Sequence, residues 1–448
     1  MSEWKKVKIG KFLTESKVLA EESDAAHRIT VRLNCKGVEK RGLKAEKEGA
    51  TKYYTRYAGQ FIYGKQNIHK GAFGIIPPEL DGFTSSADLP AFDIDKSKCI
   101  PEWIPLCLKV DERYKTLQKE VKGVGSQRLA VNVFLNVEIP LPDVSIQRKI
   151  LAKVGKKIAS IALLDDETEK QKSYAKQLRQ NILQEAIEGK LTADWRKQHP
   201  VQKGNPDYDA EALFEQIQTE KQETKKSKKS IIPITNNEIP FEIPTNWKWV
   251  RLGEIAEILG GFAFKSYEFK DSGKNLVLRL GNIRTGFLRY EATPAFISNE
   301  LATQVVDFKI KLNDILVTMT GTRGKRDYLY TLQILNEHIE RYNMYLNQRL
   351  ANIRSYCNST YIYIVMQNEL LKEPIFESAT GSANQANIGM NALQNWCSPL
   401  PPLAEQKEIV TRVEAKLQTI TQLETQIATR ETTTKQLMQS ILKDAFER

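Results

Sequence analysis

Within 448 residues there are 66 lysines and arginines against 55 aspartates and glutamates, a formal charge of +11. That length supports two to four domains, each with its own core, and the charge makes a polyanion the first partner to consider. Five cysteines (Cys35, Cys99, Cys107, Cys357 and Cys397) form neither a CxxC pair nor a Cys/His cluster, which argues against a zinc site and a secreted disulfide frame. With no signal-peptide core and no 18-residue apolar run, a cytoplasmic protein without a membrane span is expected.

The opening Trp4-Lys5-Lys6-Val7 leads into a segment, Phe12 to Val131, that reads as mixed α and β. Strands are predicted at Arg28–Leu33 and Gln60–Tyr63, with glycine-rich turns around them. Pro140-Leu141-Pro142 stops this domain, and Ser145 to Gly189 contains no proline. Heptad spacing there places Val154, Ile161, Thr168, Ala175 and Ile182 on one line and Leu164 and Leu178 on a second. The pattern predicts a coiled-coil helix of roughly 43 residues, spanning ~65 Å. Thr192 to Pro206 is polar, Asp209 to Glu223 is a short amphipathic helix carrying Leu213, Phe214 and Ile217, and Lys225-Lys226-Ser227-Lys228-Lys229 is a charge run, so this region reads as a linker. Strands are predicted again at Leu276–Leu280, Asp314–Thr318 and Tyr361–Val365. A second elbow, Pro399-Leu400-Pro401-Pro402, opens a second helix whose frame gives Val413, Ile420, Ile427, Thr434 and Ile441 on one line, with Leu423 and Leu437 on the other.

The two halves are copies. An offset of 259 carries Asn132–Glu188 onto Asn391–Glu447 without a gap, with 19 of 57 positions identical, and Trp4–Gly10 resembles Trp247–Gly253 at an offset of 243. Each copy is a variable globular part followed by a repeated helical part, which predicts an α+β fold class with a pseudo-twofold internal repeat suited to a ligand with two half-sites. Antiparallel pairing of the two helices places Thr168, Gln171 and Arg430 near the middle, where polar contacts fix alignment at some cost in stability. The alternative is that each helix packs on its own globular domain.

Catalytic patterns come close and fail at the residue that does the chemistry. Gly59-x4-Gly64-Lys65 mimics a phosphate loop, but Gln66 stands where a Ser or Thr must ligate Mg2+. Asp111, Glu120 and Lys122 have a nuclease-like order that is also common on charged helices. Ile76-Pro77-Pro78-Glu79 lacks both ends of the Asn/Asp-Pro-Pro-aromatic tetrapeptide of amino methyltransferases, and His27, His69, His199 and His338 have no metal spacing. No catalytic residue and no metal ligand is assigned.

The variable segments do hold polar loops suited to DNA. In the first copy these carry Arg56, Lys65, Gln66, Asn67, Gln127 and Arg128, the last two after Gly125-Ser126; in the second, Thr318, Thr320, Arg323, Lys325, Arg326, Asn347-Gln348-Arg349, Asn384 and Gln385. Arg and Lys pair with guanine or phosphate, Asn and Gln pair bidentately with adenine, and glycine turns admit the backbone to phosphates. Each loop taken singly reads as an ordinary turn; recurrence in both copies favours DNA reading.

At this point the chain resembles the specificity subunit of Type I restriction-modification enzymes over essentially its whole length. The resemblance is carried by Pro399-Leu-Pro-Pro-Leu-Ala-Glu-Gln406 and its weaker copy Pro140-Leu-Pro-Asp-Val-Ser-Ile-Gln147, Leu183-Gln-Glu-Ala-Ile-Glu-Gly-Lys-Leu191, Asp314-Ile-Leu-Val-Thr-Met-Thr-Gly-Thr322 and Leu346-Asn-Gln-Arg349. The first elbow departs from the pattern, with Asp143-Val144-Ser145-Ile146 where the second has Pro-Leu-Ala-Glu. The resemblance implies target-recognition domains at 1–143 and 246–400, spacer helices at 144–192 and 401–448 and a linker at 193–245. It further implies that each domain reads half of a bipartite double-stranded DNA site and that the chain itself is not catalytic. Two adenine-N6 methyltransferase subunits and an endonuclease/translocase subunit would bring the S-adenosylmethionine, ATP and Mg2+. The rival readings are a self-sufficient DNA methyltransferase or nuclease and a structural coiled-coil protein, the latter disfavoured by the lack of an intact Walker motif.

Overall fold

The computed structural model describes residues 4–21, 24–42, 51–122, 127–224, 232–292, 294–382 and 384–446. The lysine run at 225–229, Gly125-Ser126 and Ala383 lie outside them. The chain forms two compact units, residues 1–171 with 426–448 and residues 172–425, so each unit holds a globular part and one end of both long helices.

In the first unit, β1 (Lys6–Lys8) pairs antiparallel with the strand Glu138–Pro140 that leads into the first elbow. Between them lies a four-stranded antiparallel sheet in the order Leu13–Ser16, Ala91–Ile94, Phe61–Tyr63, Phe73–Ile75. Side chains on a strand alternate between faces. Phe61 and Tyr63 therefore enter one aromatic core with Phe73, Phe92, Trp103 and Phe134, while Ile62 enters the opposite cluster with Ile29, Ile76 and Leu80. The sheet is covered on both sides, and the expected strands at 28–33 and 60–63 are present as Ile29–Val31 and Phe61–Tyr63.

In the second unit, Lys248–Arg251 pairs antiparallel with Cys397–Leu400, repeating the closure of the first. Ala256–Gly260, Leu350–Ser355, Ile315–Thr318 and Thr331–Gln333 form an antiparallel sheet, and Asn275–Leu278 pairs in parallel with Asn343–Leu346. The strand expected at Tyr361–Val365 is instead a helix, Ser359–Gln367. The Asn358 side chain accepts from Tyr361 N at 3.1 Å and caps it. A helix buried nearly all round reads as a continuous apolar run, which periodicity does not separate from a buried strand. Residues 193–224 are helical at Ala193–Gln198 and Ala210–Thr224. They dock on this unit through buried Ala210, Leu213 and Ile217, with Leu403 N and Ala404 N donating to Pro206 O and Asp207 O.

Each elbow is locked in the same way. Buried Gln147 donates to Pro142 O (2.7 Å) and Lys98 O and accepts from Ile100 N (2.8 Å). Buried Gln406 donates to Pro401 O (2.9 Å) and accepts from Asn358 N (3.0 Å). A ring donor from the preceding short helix reaches the first elbow proline: Trp103 Nε1 to Pro140 O and Tyr361 OH to Pro399 O, both at 2.9 Å. The copies differ at the next residue. Glu405, fully buried, accepts from Trp247 Nε1 (2.8 Å), Thr192 Oγ1 (2.6 Å) and Arg196, whereas the first copy has Ile146 there and fills its junction with Trp103 stacked on Phe446 and Trp4 edge-on to both. A buried carboxylate persists only with such partners, which explains the departure in the first elbow.

The long helices run Val144–Ile187 and Leu403–Phe446, 44 residues each. In the first unit Val154 and Ile158 share a core with Met438, Ile441 and Leu442, and Arg430 donates to Gln171 at 2.8 Å. In the second unit Arg179 pairs with Glu424 at 3.0 Å, and Arg412 reaches Leu191 O. Contacts move backwards along one helix as they move forwards along the other, so the pairing is antiparallel. Val154, Ile161, Thr168, Ala175, Ile182, Val413, Ile420, Ile427 and Thr434 are buried as expected, and Ile441 is half-buried.

The second expected line is wrong. Leu164, Leu178, Leu423 and Leu437 are 47, 45, 43 and 47% exposed. The companions of the buried line lie four residues on, not three: Leu151, Ile158, Lys172 and Arg179 in one helix, Leu417, Glu424, Glu431 and Met438 in the other, all half-buried. Charged side chains with long apolar stems cover the seam and pair across it, a role that an apolar-only pattern passes over.

Candidate nucleic-acid interface

In the second unit three loops meet at Met319. Its N–H donates to Arg349 O (3.0 Å) and its carbonyl accepts from Ile388 N (2.8 Å). Thr320-Gly321 pairs with Ala386-Asn387 in a two-residue ladder, and Arg323 donates to Ala379 O at 2.8 Å. The loop cluster leaves Arg323, Lys325, Arg326, Gln348, Arg349, Asn384 and Gln385 exposed. Its cations are not equivalent. Arg326 is clamped in two bonds to Glu373 (2.7 and 2.6 Å) and lies over the Phe376 ring, and the carboxylate raises its pKa. Lys325 has no ion-pair partner among the described residues. Gln348 and Arg349 sit on a tight turn whose close packing against Gly261 leaves no room for a Cβ there, so both side chains start from a fixed backbone.

In the first unit the meeting point is Lys65, whose N–H donates to Asp88 O (2.9 Å) and whose carbonyl accepts from Leu129 N (2.8 Å). Lys65 and Arg128 border a shallow depression with Lys17 and Asn132. Arg128 is paired in two bonds with Asp88 (2.9 and 3.1 Å), and Lys17 pairs with Glu15 at 3.0 Å. Gln66 and Asn67 are half-buried in the turn after Lys65, and Gln127 is exposed at the base of the loop closed by Lys122 and Arg128. Lys17 and Asn132 carry no sequence signal of their own; the sheet edge and the start of a short helix bring them to Lys65.

Two expected contacts are interior. Arg56 is 2% exposed and spends its guanidinium on Ser85 Oγ (2.7 Å), Ser16 O (2.8 Å) and Leu89 O (3.2 Å), with burial pulling its pKa down to about 10. It ties the segments of the first unit together from the inside. Thr318 is 1% exposed and accepts from Tyr330 N at 2.9 Å, as a residue at the end of a central strand. Thr320 is half-buried, and its Oγ1 has no hydrogen-bond partner among the described residues. Among those residues no group of three His, Cys, Asp or Glu is placed to hold a metal, and no helix is long and apolar enough to cross a membrane.

Known proteins resemble this chain in sequence and fold. Residues 244–430 match the family described as Type I restriction modification DNA specificity domain. The type I restriction enzyme EcoAI specificity subunit of Escherichia coli is 28% identical over 274 residues, 60% of this chain and 44% of that subunit. The EcoDI specificity subunit of the same species is 24% identical over 359 residues, 76% of this chain and 70% of the relative. The MjaVIII specificity subunit of Methanocaldococcus jannaschii is 23% identical over 315 residues, 69% and 61%. The chain thus spans under half the length of the EcoAI and EcoEI subunits, 44 and 45%. A solved chain from work on complex assembly and conformational transition of the type I R-M system superposes with a TM-score of 0.57 at 19% identity, covering 100% of this chain and 98% of that one, and shows the shared fold. Over residues 244–430 the chain is thus similar to type I restriction modification DNA specificity domains.

Proposed function

We propose that this chain is the DNA-reading subunit of a type I restriction-modification complex in the cytoplasm, each globular part reading one half of a bipartite double-stranded site. The observation that carries this is the recurrence, in both copies, of three loops converging on one backbone position and presenting basic and amide side chains, around Lys65 and around Met319. In this reading the chain is not itself catalytic. It directs adenine-N6 methylation by two methyltransferase subunits that bind S-adenosylmethionine, and restriction by a translocating endonuclease subunit that uses ATP and Mg2+. Exchanging residues 255–390 for the same region of a relative, followed by mapping of methylated adenines, is expected to change one half of the site and keep the other. Alteration of both halves would sink the modular reading.

A further inference from the structure

The loop that follows the strand Ile315–Thr318 is held shut by an acid. The Asp327 carboxylate accepts from Thr322 N–H through Oδ1 and from Thr322 Oγ1 (3.4 Å) through Oδ2. Between the two residues lies one 3-10 turn, Arg323–Lys325, with Lys325 N and Arg326 N donating to Thr322 O at 3.1 and 2.9 Å. The segment returns directly over Gly321, where a Cβ would come within 2.7 Å of Asp327 Oδ1 and 2.9 Å of Asp327 O. Only glycine leaves room for that approach. Arg326, with a φ of 49°, and Leu329, with 59°, put side-chain-bearing residues in the left-handed region, a conformation that bonds across the loop must hold. Asp327 is itself exposed, in a run that otherwise exposes Arg323, Lys325 and Arg326.

Two other acids of the loop clusters neutralise guanidinium groups: Asp88 holds Arg128, and Glu373 holds Arg326. Asp327 instead bonds a backbone N–H, so it fixes the course of the chain rather than one side chain. A carboxylate on a surface that meets phosphates costs affinity at every sequence, and what this one contributes is geometry. We infer that Asp327 is a positioning residue for DNA reading. By closing the loop on Thr322 it fixes where Arg323 and Lys325 meet the duplex, exchanging non-specific attraction for discrimination between sequences. The inference rests on the DNA-reading role proposed above.

The test assembles the full chain with the methyltransferase subunits of its own system. Initial methylation rates are compared on duplexes carrying the mapped site and on duplexes changed at one base pair in the half assigned to residues 255–390. Asp327→Ala removes charge and hydrogen bonds together, and the ratio of the two rates is expected to fall about tenfold or more, mainly through faster methylation of the altered duplexes. Asp327→Asn removes the charge but keeps an oxygen for the Thr322 N–H, and is expected to hold the ratio within about threefold of the parent. The urea midpoints of both should match the parent, because the residue is exposed. An unchanged ratio in Asp327→Ala would overturn the inference, as would an equal fall in both variants, which would assign the effect to charge. Slower methylation of every duplex at the parent ratio would overturn it too, leaving Asp327 a brace of the fold. Each of those results leaves the proposed function standing; a parent complex that methylates no bipartite site would overturn both.

Discussion

Arg56 and Arg323 look alike in sequence, each among threonines, aromatics or glycines in a loop-like run, yet one is a girder and the other lies on the surface. The difference is local geometry. Arg56 faces two backbone carbonyls and a serine inside the first unit, whereas Arg323 uses one bond to Ala379 O and stays exposed. Hydrogen bonds to a charged group contribute ~1.5–3 kcal/mol each, so Arg56→Ala is expected to cost the first unit roughly 3 kcal/mol, read as a lower urea midpoint. A fall in DNA affinity at unchanged midpoint would return Arg56 to the interface. The loop residues separate by a different measurement. Lys325, exposed and without an ion-pair partner among the described residues, is expected to meet phosphate, so Lys325→Ala should weaken binding evenly across sequences and lower the salt slope by about one. Gln385, an exposed amide beside the pinned ladder, is expected to read a base; Gln385→Ala should cost ~1–3 kcal/mol at one base pair and little elsewhere. Equal losses on all sequences would make it a backbone contact instead.

At the scale of elements, the seam of the long helices is the clearest test. Ile161 is 2% exposed and Leu164 is 47% exposed. Ile161→Ala is expected to cost ~2–4 kcal/mol and Leu164→Ala within ~0.5 kcal/mol, measured by denaturation of the full chain. Similar costs at both would restore the original second line. Inserting four residues between Asp165 and Lys170 adds about one helical turn, ~6 Å, which is one or two base pairs at ~3.4 Å each. The non-specific gap in the methylated site is expected to lengthen by that amount with the recognised bases unchanged; methylation at the original gap, from a folded variant, would mean the helices tether without measuring. The long helices and elbows were legible because they are written twice and rest on proline, glutamine and heptad spacing; the strands that close each unit, Lys6–Lys8 with Glu138–Pro140 and Lys248–Arg251 with Cys397–Leu400, were not read as strands. The loop clusters were legible only as candidates, since Met319, Arg349 and Ile388 are neighbours through backbone bonds that no local pattern records. The helix at Ser359–Gln367 was misread because burial on all sides erases its period.

At the scale of the molecule, the repeat sets the same device twice and then departs from it where the copies do different work. Gln147 and Gln406 tie each elbow to its own globular part, but Glu405 ties the second elbow to the segment that joins the copies, through Thr192 and Arg196. The hydrogen bond from Arg430 to Gln171 joins positions 259 apart, that is, one site of the repeat facing its own counterpart. Were the two halves separate chains, a pair of second halves would bring two guanidinium groups into opposition at that place, and a pair of first halves would bring two neutral amides. Each mixed couple gains a donor and an acceptor that fit. Held on one polypeptide, the unlike residues disfavour a pair of second halves; under the proposed function the two reading heads at a site are then one of each kind, and the sequence they recognise has no need to be a palindrome.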